Sequence, residues 1–99
     1  MNSTGSTANI VLITQTHIYC ANLGDARSVM SVNKKAVALS VDHKPNDEEE
    51  KARIVRAGGR VVNNRIKDKL AVSRAIGDYR FKTDDCEPED QMVCAIAVV

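Results

Sequence analysis

Aromatic residues are nearly absent from this sequence, which has two Tyr, one Phe and no Trp among its 99 residues. A core must therefore be built from Val, Ile, Leu and Ala, and this is feasible because hydrophobic residues make up 43% of the chain. The same share excludes an intrinsically disordered tail, which could not bury enough apolar surface to fold. The length predicts one small domain, or a part of a larger one, over residues 1–99.

An excess of one charge is also missing, because 14 basic residues balance 13 acidic ones to a net charge of +1. Nucleic-acid-binding proteins show a basic stripe or stacking aromatics, so we expect no nucleic-acid partner. No apolar run approaches the roughly 20 residues that cross a membrane, and the first residues lack the regions of a secretory signal. We therefore expect no membrane association and a cytoplasmic protein, with the nucleus as the alternative compartment.

The cysteines lack the spacing of a metal site or of a disulfide framework. They are odd in number and contain no Cys-x-x-Cys pair, namely Cys20, Cys86 and Cys94. Reduced thiols in a cytosolic setting are the better interpretation.

The first half of the chain has the pattern of antiparallel strands. Residues 8–13 form a short apolar run with branched side chains, which predicts a strand buried on both faces. Residues 18–23 follow a polar turn and predict its hairpin partner. Two more strand candidates are 28–32 and 36–41. Four strands with short links favour an antiparallel meander over parallel strands with helical crossovers.

A helix is predicted directly after these strands. Residues 46–47 can cap its start, and glutamates fill the first turn at 48–50, where the helix dipole favours negative charge. Gly58 and Gly59 end it, because glycine adopts the left-handed conformation easily. Arg53 is predicted to face water. The predicted inner face consists of Ala52, Ile54 and Val55.

The second half of the chain is less regular. Residues 61–62 predict an extended piece and 63–69 a polar loop, whereas 70–76 is ambiguous between strand and helix. Five acids and a proline in 83–91 predict an exposed loop, and 92–99 is a strong candidate for a final strand.

One short pattern occurs twice and suggests chemistry. Residues 23–27 and 76–80 both place an aspartate, Asp25 or Asp78, directly after a glycine at the end of an apolar run. If folding brings these carboxylates together, they could hold hard cations such as Mg²⁺ or Mn²⁺. The alternative is that each segment is a surface turn in which the following arginine pairs with the aspartate. The glycines that would allow the sharp bends are Gly24 and Gly77.

Five blocks of sequence occur in a fixed order along the chain. They read Gly-Ser-Thr-Ala at 5–8, Asn-Leu-Gly-Asp-Ala-Arg at 22–27, Asp-His-Lys-Pro at 42–45, Glu with Arg-Ile and Ala-Gly-Gly within 50–59, and Leu-Ala-Val-Ser-Arg-Ala-Ile-Gly-Asp at 70–78. This series resembles the middle of the protein phosphatase 2C family, the metal-dependent serine/threonine phosphatases. The resemblance is nearly continuous from 5 to 82 and looser to 99, and the last block is highly specific.

The resemblance implies an α+β fold, part of an α-β-β-α sandwich of antiparallel sheets flanked by helices. It implies two Mg²⁺ or Mn²⁺ ions that activate a water for hydrolysis of phosphoserine and phosphothreonine in phosphoprotein substrates. By motif, Asp78 matches an aspartate that ligates the metal centre. Asp25 matches an aspartate associated with a further, weaker metal site.

The other motif residues are expected to be structural. Gly5 and Thr7 set a strand start near the site, and Arg74 forms an ion pair near it. His43 is a structural histidine before the helix rather than a general acid. Ser73 is a hydrogen-bonding anchor rather than a nucleophile, since no Gly-x-Ser-x-Gly elbow surrounds it.

Several blocks of the family are missing from these 99 residues, among them an Asp-Gly-His-Gly block and an Asp-Asn block that supply metal ligands. Asp25 and Asp78 alone cannot build a two-metal site, because two hard cations need several carboxylates. We therefore expect the isolated chain to have little or no activity. Open sheet edges also predict a homodimer or a strand-exchanged oligomer. The alternative function is a non-catalytic protein-interaction module that keeps the phosphatase-like core.

Overall fold

Short antiparallel strands and one helix make up the regular structure of this chain. The structure, a computed structural model, describes residues 3–99, so the first two positions of the predicted 1–99 unit lie outside the described residues. Two 3₁₀ turns span Tyr79–Phe81 and Pro88–Asp90. The elements are β1 (Gly5–Ser6), β2 (Ala8–Ile13), β3 (Ile18–Leu23), β4 (Val29–Val32), β5 (Lys35–Ala38), α1 (Glu48–Arg56), β6 (Val61–Val62), β7 (Arg65–Ile66) and β8 (Ile76–Gly77).

The strands pair in four antiparallel ladders, β2 with β3, β4 with β5, β6 with β7, and β1 with β8. Two-residue turns close three reversals, at 33–34, 63–64 and 67–68, and both central residues of each have positive φ. Such turns match the right-handed twist of paired strands. Together with α1, these ladders confirm the predicted α+β class.

Helix α1 ends in a hydrogen-bonded cap built by two glycines. The Gly58 amide donates to the Val55 carbonyl at 3.0 Å, and the Gly59 amide reaches back to the Ile54 carbonyl at 2.9 Å. This is the Schellman pattern, with Gly58 in the left-handed conformation at a φ of 87°. The chain therefore turns sharply and packs Gly59 against Met92 in the core.

The core lies in the second half of the chain, on the inner side of α1. Ile54 and Ile66 are fully buried within it, and four partly buried side chains, including Val61 and Val72, pack around it. Helix, hairpin and tail segments thus meet at one cluster. Its members are Ile54, Ile66, Ala75, Phe81, Met92 and Val93.

The outer part of the β2–β3 hairpin exposes its large apolar side chains, whereas Leu23 at its base is buried. Ile10 and Ile13 are 64% and 72% exposed, so the prediction of a strand buried on both faces is wrong. Strand β2 pairs only with β3 in the described part of the chain. The radius of gyration is 14.9 Å, above the roughly 13 Å expected for a compact domain of this length. The homodimer or strand-exchanged oligomer stays a prediction.

Three further sequence expectations are wrong. Arg53 is buried and Val55 is 55% exposed, since the Arg53 guanidinium bonds to carbonyls of the tail. The predicted loop at 63–69 contains β7. The predicted strand at 92–99 forms only single bridges, at Cys94 and Val98, because its first residues fill the core instead of pairing.

Among residues 3–99, no helix combines the length and the hydrophobicity that a membrane span requires.

Candidate functional site

The first Gly-Asp corner follows β3 and is held by both the backbone and the ring of His43. The Gly24 amide donates to Nδ1 of His43 at 3.0 Å, and the His43 amide donates to the Gly24 carbonyl at 2.8 Å. The buried side chain of Asn22 adds a hydrogen bond to the same carbonyl at 3.1 Å. His43 therefore positions this corner, and the ring nitrogen that faces Gly24 is an acceptor without a proton.

Asp25 comes next and lines an open surface cavity of about 510 Å³. Its side chain is 32% exposed, and its carboxylate accepts a hydrogen bond from Nζ of Lys44 at 3.3 Å. An exposed ion pair of this kind is worth at most about 1 kcal/mol, so Lys44 is easily displaced by another cation. The remaining polar lining of the cavity consists of Asn46, Asp47, Asn63, Asn64 and Arg65.

The second Gly-Asp corner follows β8 and is enclosed. Asp78 is 5% exposed, has left-handed backbone angles, and donates its amide to the Thr4 carbonyl at 2.9 Å. Its carboxylate packs against Gly5, where any side chain would overlap it. Burial lowers the pKa of the nearby Lys82 ammonium, and the Asp78 charge counters part of that effect. Asp78 does not line the cavity that contains Asp25.

Residues 5–7 bring the two corners next to each other. Gly5 lies opposite Gly77 in the pairing of β1 with β8. The Thr7 side chain fills the space beside Gly24 that a Cβ would need. Positions 5 and 7 are about 7 Å apart along an extended chain, so both Gly-Asp segments meet at one short stretch. Their carboxylates nevertheless lie in different surroundings, one open and one enclosed.

A buried ionic cluster joins α1 to the block that contains Arg74. Glu50 accepts hydrogen bonds from the Arg74 guanidinium at 2.7 and 3.0 Å and from the Ser73 hydroxyl at 2.9 Å. Arg53 donates to Glu50 at 2.9 Å and to the carbonyls of Ser73 and Gln91. Burial would raise the pKa of Glu50, but its bonds to Arg74, the charge of Arg53 and the Ser73 bond outweigh burial and hold that pKa below its ordinary value. Arg74 thus forms its ion pair inside the fold, with Glu50.

The arginines of the two repeated segments do not pair with the aspartates that precede them. Arg27 forms two hydrogen bonds to Asp42, both at 2.9 Å, and holds the pKa of that carboxyl below its usual value. Arg80 lies over the ring of Phe81 at 5.1 Å. The alternative prediction, in which the arginine of each segment pairs with the aspartate two residues before it, is therefore wrong. Arg27 and Arg80 each contact a different residue.

We expect the stability of the chain to fall below neutral pH because His43 must stay uncharged. Burial lowers the pKa of His43, the charges of Arg74 and Arg53 lower it further, and Glu50 opposes them. A group with a depressed folded-state pKa binds more protons when unfolded. Stability is therefore kept above the unfolded pKa of about 6.5 and lost as the pH falls through the folded value. Urea unfolding at a series of pH values measures this.

The variant His43→Asn tests the assignment because it keeps an acceptor near the position of Nδ1 but cannot take up a proton. We expect its unfolding free energy to change less than that of the wild type between about pH 7.5 and 5.5. The same substitution at the exposed His17 is the control and should preserve the wild-type slope. Equal slopes for the wild type and His43→Asn would contradict the role of His43.

The residues around Asp25 offer the right type of metal donor in too small a number. Asp25 and Asp47 line one cavity, but residues 3–99 contain no group of three or more Asp, Glu, His or Cys side chains that could hold a metal ion. Lys44 and Arg65 line the same cavity and oppose a further positive charge. Hard cations take about six or more oxygen ligands. The described residues therefore supply part of a metal site and not a complete one.

The sequence does not reveal which residues surround Asp25. Asn63 and Asn64 lie in the predicted loop, yet they form the left-handed turn between β6 and β7 and line the Asp25 cavity. An Asn-Asn pair is a usable hairpin signal because asparagine tolerates positive φ. No local signal places that turn beside Asp25, since the contact joins segments far apart in the chain.

The chain is similar to known proteins over nearly its whole length, including the five sequence blocks. The model of the family described as "Protein phosphatase 2C" matches residues 1–98. The chain is 51% identical over 92 residues to protein phosphatase 2C homolog 3 of Schizosaccharomyces pombe, a match that covers 93% of this chain and 22% of that protein.

Two solved structures resemble the fold described above. A phosphatase from Toxoplasma gondii matches with a TM-score of 0.75 and 26% identity, over 97% of this chain and 41% of that chain. A sex-determining protein of Caenorhabditis elegans matches with a TM-score of 0.70 and 36% identity, over 80% of this chain and 21% of that chain.

The chain thus spans about a fifth of the length of the curated relative named above. Within that span the family match includes both Gly-Asp corners, the histidine that holds the first of them, and the ionic cluster around Glu50. This chain belongs to the protein phosphatase 2C family.

Proposed function

We propose that this chain is the central portion of the catalytic domain of a protein phosphatase that hydrolyses phosphoserine and phosphothreonine in proteins. Membership of the protein phosphatase 2C family supports the hydrolase chemistry. The observation that carries a role for this segment is the Gly24–Asp25 corner. His43 holds its backbone through two hydrogen bonds while Asp25 stays at an open cavity.

The proposed cofactor is Mg²⁺ or Mn²⁺, because proteins of this family are generally metal-dependent. In such reactions the metal lowers the pKa of a bound water and offsets charge on the phosphoryl oxygens. This chain would contribute the Asp25 carboxylate to the metal site and, by family resemblance, Asp78. The other ligands must come from outside residues 3–99, because the described carboxylates are too few.

The proposed compartment is the cytoplasm or the nucleus. All three cysteines are free, and Cys86 is exposed. Free exposed thiols are typical of reducing compartments. This supports the proposal without bearing on the reaction.

A chimera provides the sharpest test of the proposed function. This segment would replace the matching 92 residues of the fission yeast relative, to which it is 51% identical. We expect the chimera to release phosphate from a phosphothreonine peptide in the presence of Mn²⁺. We expect Asp25→Asn to raise the Mn²⁺ concentration for half-maximal rate by about tenfold or more, the scale of losses for groups that tune a metal site. Asp85→Asn, in the exposed acidic loop, is the control with the same change of charge.

The same chimera separates two roles of Asp78. A loss of rate in Asp78→Asn that added Mn²⁺ restores supports metal ligation, whereas a loss that no metal concentration restores supports a purely structural role. A chimera that folds but hydrolyses no phosphoester would contradict the proposed function and favour the non-catalytic interaction module.

The isolated chain should behave differently from the chimera. We expect no phosphate release above the blank from the chain alone with Mn²⁺, because residues 3–99 hold no complete metal site. Turnover close to that of the chimera would refute the proposal that the remaining ligands come from elsewhere.

A further inference from the structure

A second cavity, which the proposed function does not use, lies at the carboxyl end of α1. It measures about 420 Å³ and shares no lining residue with the cavity of Asp25. Three of its five lining residues are cations, and none is an acid. The lining consists of Gly58, Gly59, Arg60, Lys67 and Lys69. We propose that this basic cavity binds a phosphate group carried by a protein segment, without hydrolysing it.

The backbone of the β6–β7 region brings the three cations together. The pairing of β6 with β7 extends by one residue at this end, because the Lys67 amide donates to the Arg60 carbonyl at 2.9 Å. The backbones of Arg60 and Lys67 therefore lie next to each other. Lys67 and Asp68 then form a left-handed turn, closed by a bond from the Lys69 amide to the Ile66 carbonyl at 2.9 Å. The turn places Lys69 beside the same opening.

The positive charge of this basic cavity is not compensated by its neighbours. Arg60, Lys67 and Lys69 line the same cavity, and like charges held close together repel each other. The salt bridges found among residues 3–99 all involve other cations. Asp68, the acid of the turn, accepts a hydrogen bond from Asn63 instead. An anion supplied from outside would therefore remove a repulsion that the chain itself leaves in place.

The end of α1 does not account for the cluster. A helix carboxyl terminus favours nearby cations within its last turn, but α1 ends at Arg56, so Arg60, Lys67 and Lys69 all lie beyond that turn in the chain. The carbonyls of Ile54 and Val55, near the end of the helix, already accept hydrogen bonds from the amides of Gly59 and Gly58. Apart from Gly58 and its chain neighbours, no atom of residues 3–99 lies within 4 Å of the position that a side chain on Gly58 would occupy. The cavity is thus open on the glycine side and charged on the other.

A phosphorylated segment suits this basic cavity better than a single carboxylate. A phosphate monoester carries about two negative charges at neutral pH and presents three acceptor oxygens, enough for three cationic donors. That the bound phosphate belongs to a phosphoprotein rests on the proposed function, since a phosphatase of this class binds phosphorylated protein segments. The basic cavity would then hold a substrate through a phosphate other than the one removed.

Binding to the isolated chain tests this inference without any turnover. A fluorescein-labelled phosphothreonine peptide and its unphosphorylated twin are titrated by fluorescence anisotropy, in EDTA and at fixed salt. We expect the phosphopeptide to bind at least tenfold more tightly. We expect the double variant Lys67→Gln and Lys69→Gln to lose at least tenfold in affinity. The matched control, Lys34→Gln with Lys35→Gln in the exposed β4–β5 hairpin, removes the same charge and should change affinity less than twofold.

Three outcomes would overturn the proposal. One is equal weakening by the two double variants, which would indicate a general charge effect. The second is equal binding of the phosphopeptide and its unphosphorylated twin. The third is equal binding of a single-stranded oligonucleotide, which would indicate a surface for any polyanion. Circular dichroism and thermal unfolding of each variant confirm that the fold is kept, which is expected because all four lysines are exposed. Failure of the chimera to hydrolyse phosphoesters would contradict the proposed function and leave this binding result standing.

Discussion

The variant Glu50→Gln is expected to lose about 3 kcal/mol of unfolding free energy, the lower end of the cost of breaking a buried ion pair. Glu50 is 4% exposed and is the shared partner of Arg53 and Arg74. A neutral amide leaves both guanidinium groups with less compensation, and its NH₂ group points a donor at a donor. Arg74 keeps some contact with solvent, with 15% of its side chain exposed, so the loss should not exceed this range. Urea unfolding measures it.

The neighbouring Glu49 offers a matched control in the same helical turn. Glu49 is exposed and makes no salt bridge within the described residues. We expect Glu49→Gln to change stability by no more than about 0.5 kcal/mol, as surface substitutions usually do. Similar losses of unfolding free energy in the two variants would show that the charge at the start of the helix, and not the buried cluster, accounts for the loss. A domain of this size has about 5–15 kcal/mol in total, so the Glu50 cluster is a large part of it.

The second large effect is expected at Gly77, where β8 pairs with β1. Gly77 has a φ of 84°, and a Cβ there would lie 2.5 Å from the Thr4 carbonyl oxygen and 3.0 Å from the α-carbon of Gly5. Both neighbours are backbone atoms that cannot move without breaking the pairing. We therefore expect Gly77→Ala to cost about 3 kcal/mol or more, from left-handed strain together with overpacking. Urea unfolding of the variant beside the wild type measures the loss.

Gly58 separates these two causes, because it has nearly the same backbone angle and no neighbour. Its φ is 87°, and in the described part of the chain no atom beyond its own chain neighbours lies within 4 Å of the position that a Cβ would take. Gly58→Ala should therefore cost only the left-handed strain, about 1–2 kcal/mol. If both glycine variants lose the same stability, the close approach of β1 to β8 contributes nothing. The pairing of residues 5–6 with the second Gly-Asp corner would then be absent in solution.

Much of the local structure could be predicted from the sequence because it depends on neighbours in the chain. Three glutamates at 48–50 and the glycines at 58–59 predict the two ends of α1, and the structure places the helix at Glu48–Arg56. The polar turn after residue 13 predicts the β2–β3 hairpin, and the structure pairs Ala8–Ile13 with Ile18–Leu23. Side-chain burial was predicted poorly, since Arg53 and Val55 exchange the surroundings that helical periodicity assigns to them.

In the candidate site, too, the sequence predicts the local segments but not the surroundings of their side chains. The two Gly-Asp segments are visible as a repeat, and their order among the other blocks points to the protein phosphatase 2C family. The sequence treats Asp25 and Asp78 alike, yet the structure leaves one at an open cavity and encloses the other against Gly5. That difference follows from the pairing of β1 with β8, a contact between segments that are about seventy residues apart in the chain.

Short motifs, capping residues and turn residues act over a few positions, so the amino-acid sequence is enough to identify the family, the α+β class and the limits of the helix. Which charges are buried, which apolar strands stay exposed, and where the three cations of the basic cavity meet become clear only in the folded chain. Burial and electrostatic compensation depend on contacts between segments that are distant in sequence. Glu50 meets Ser73 and Arg74 more than twenty residues away, a distance over which no local pattern predicts contact.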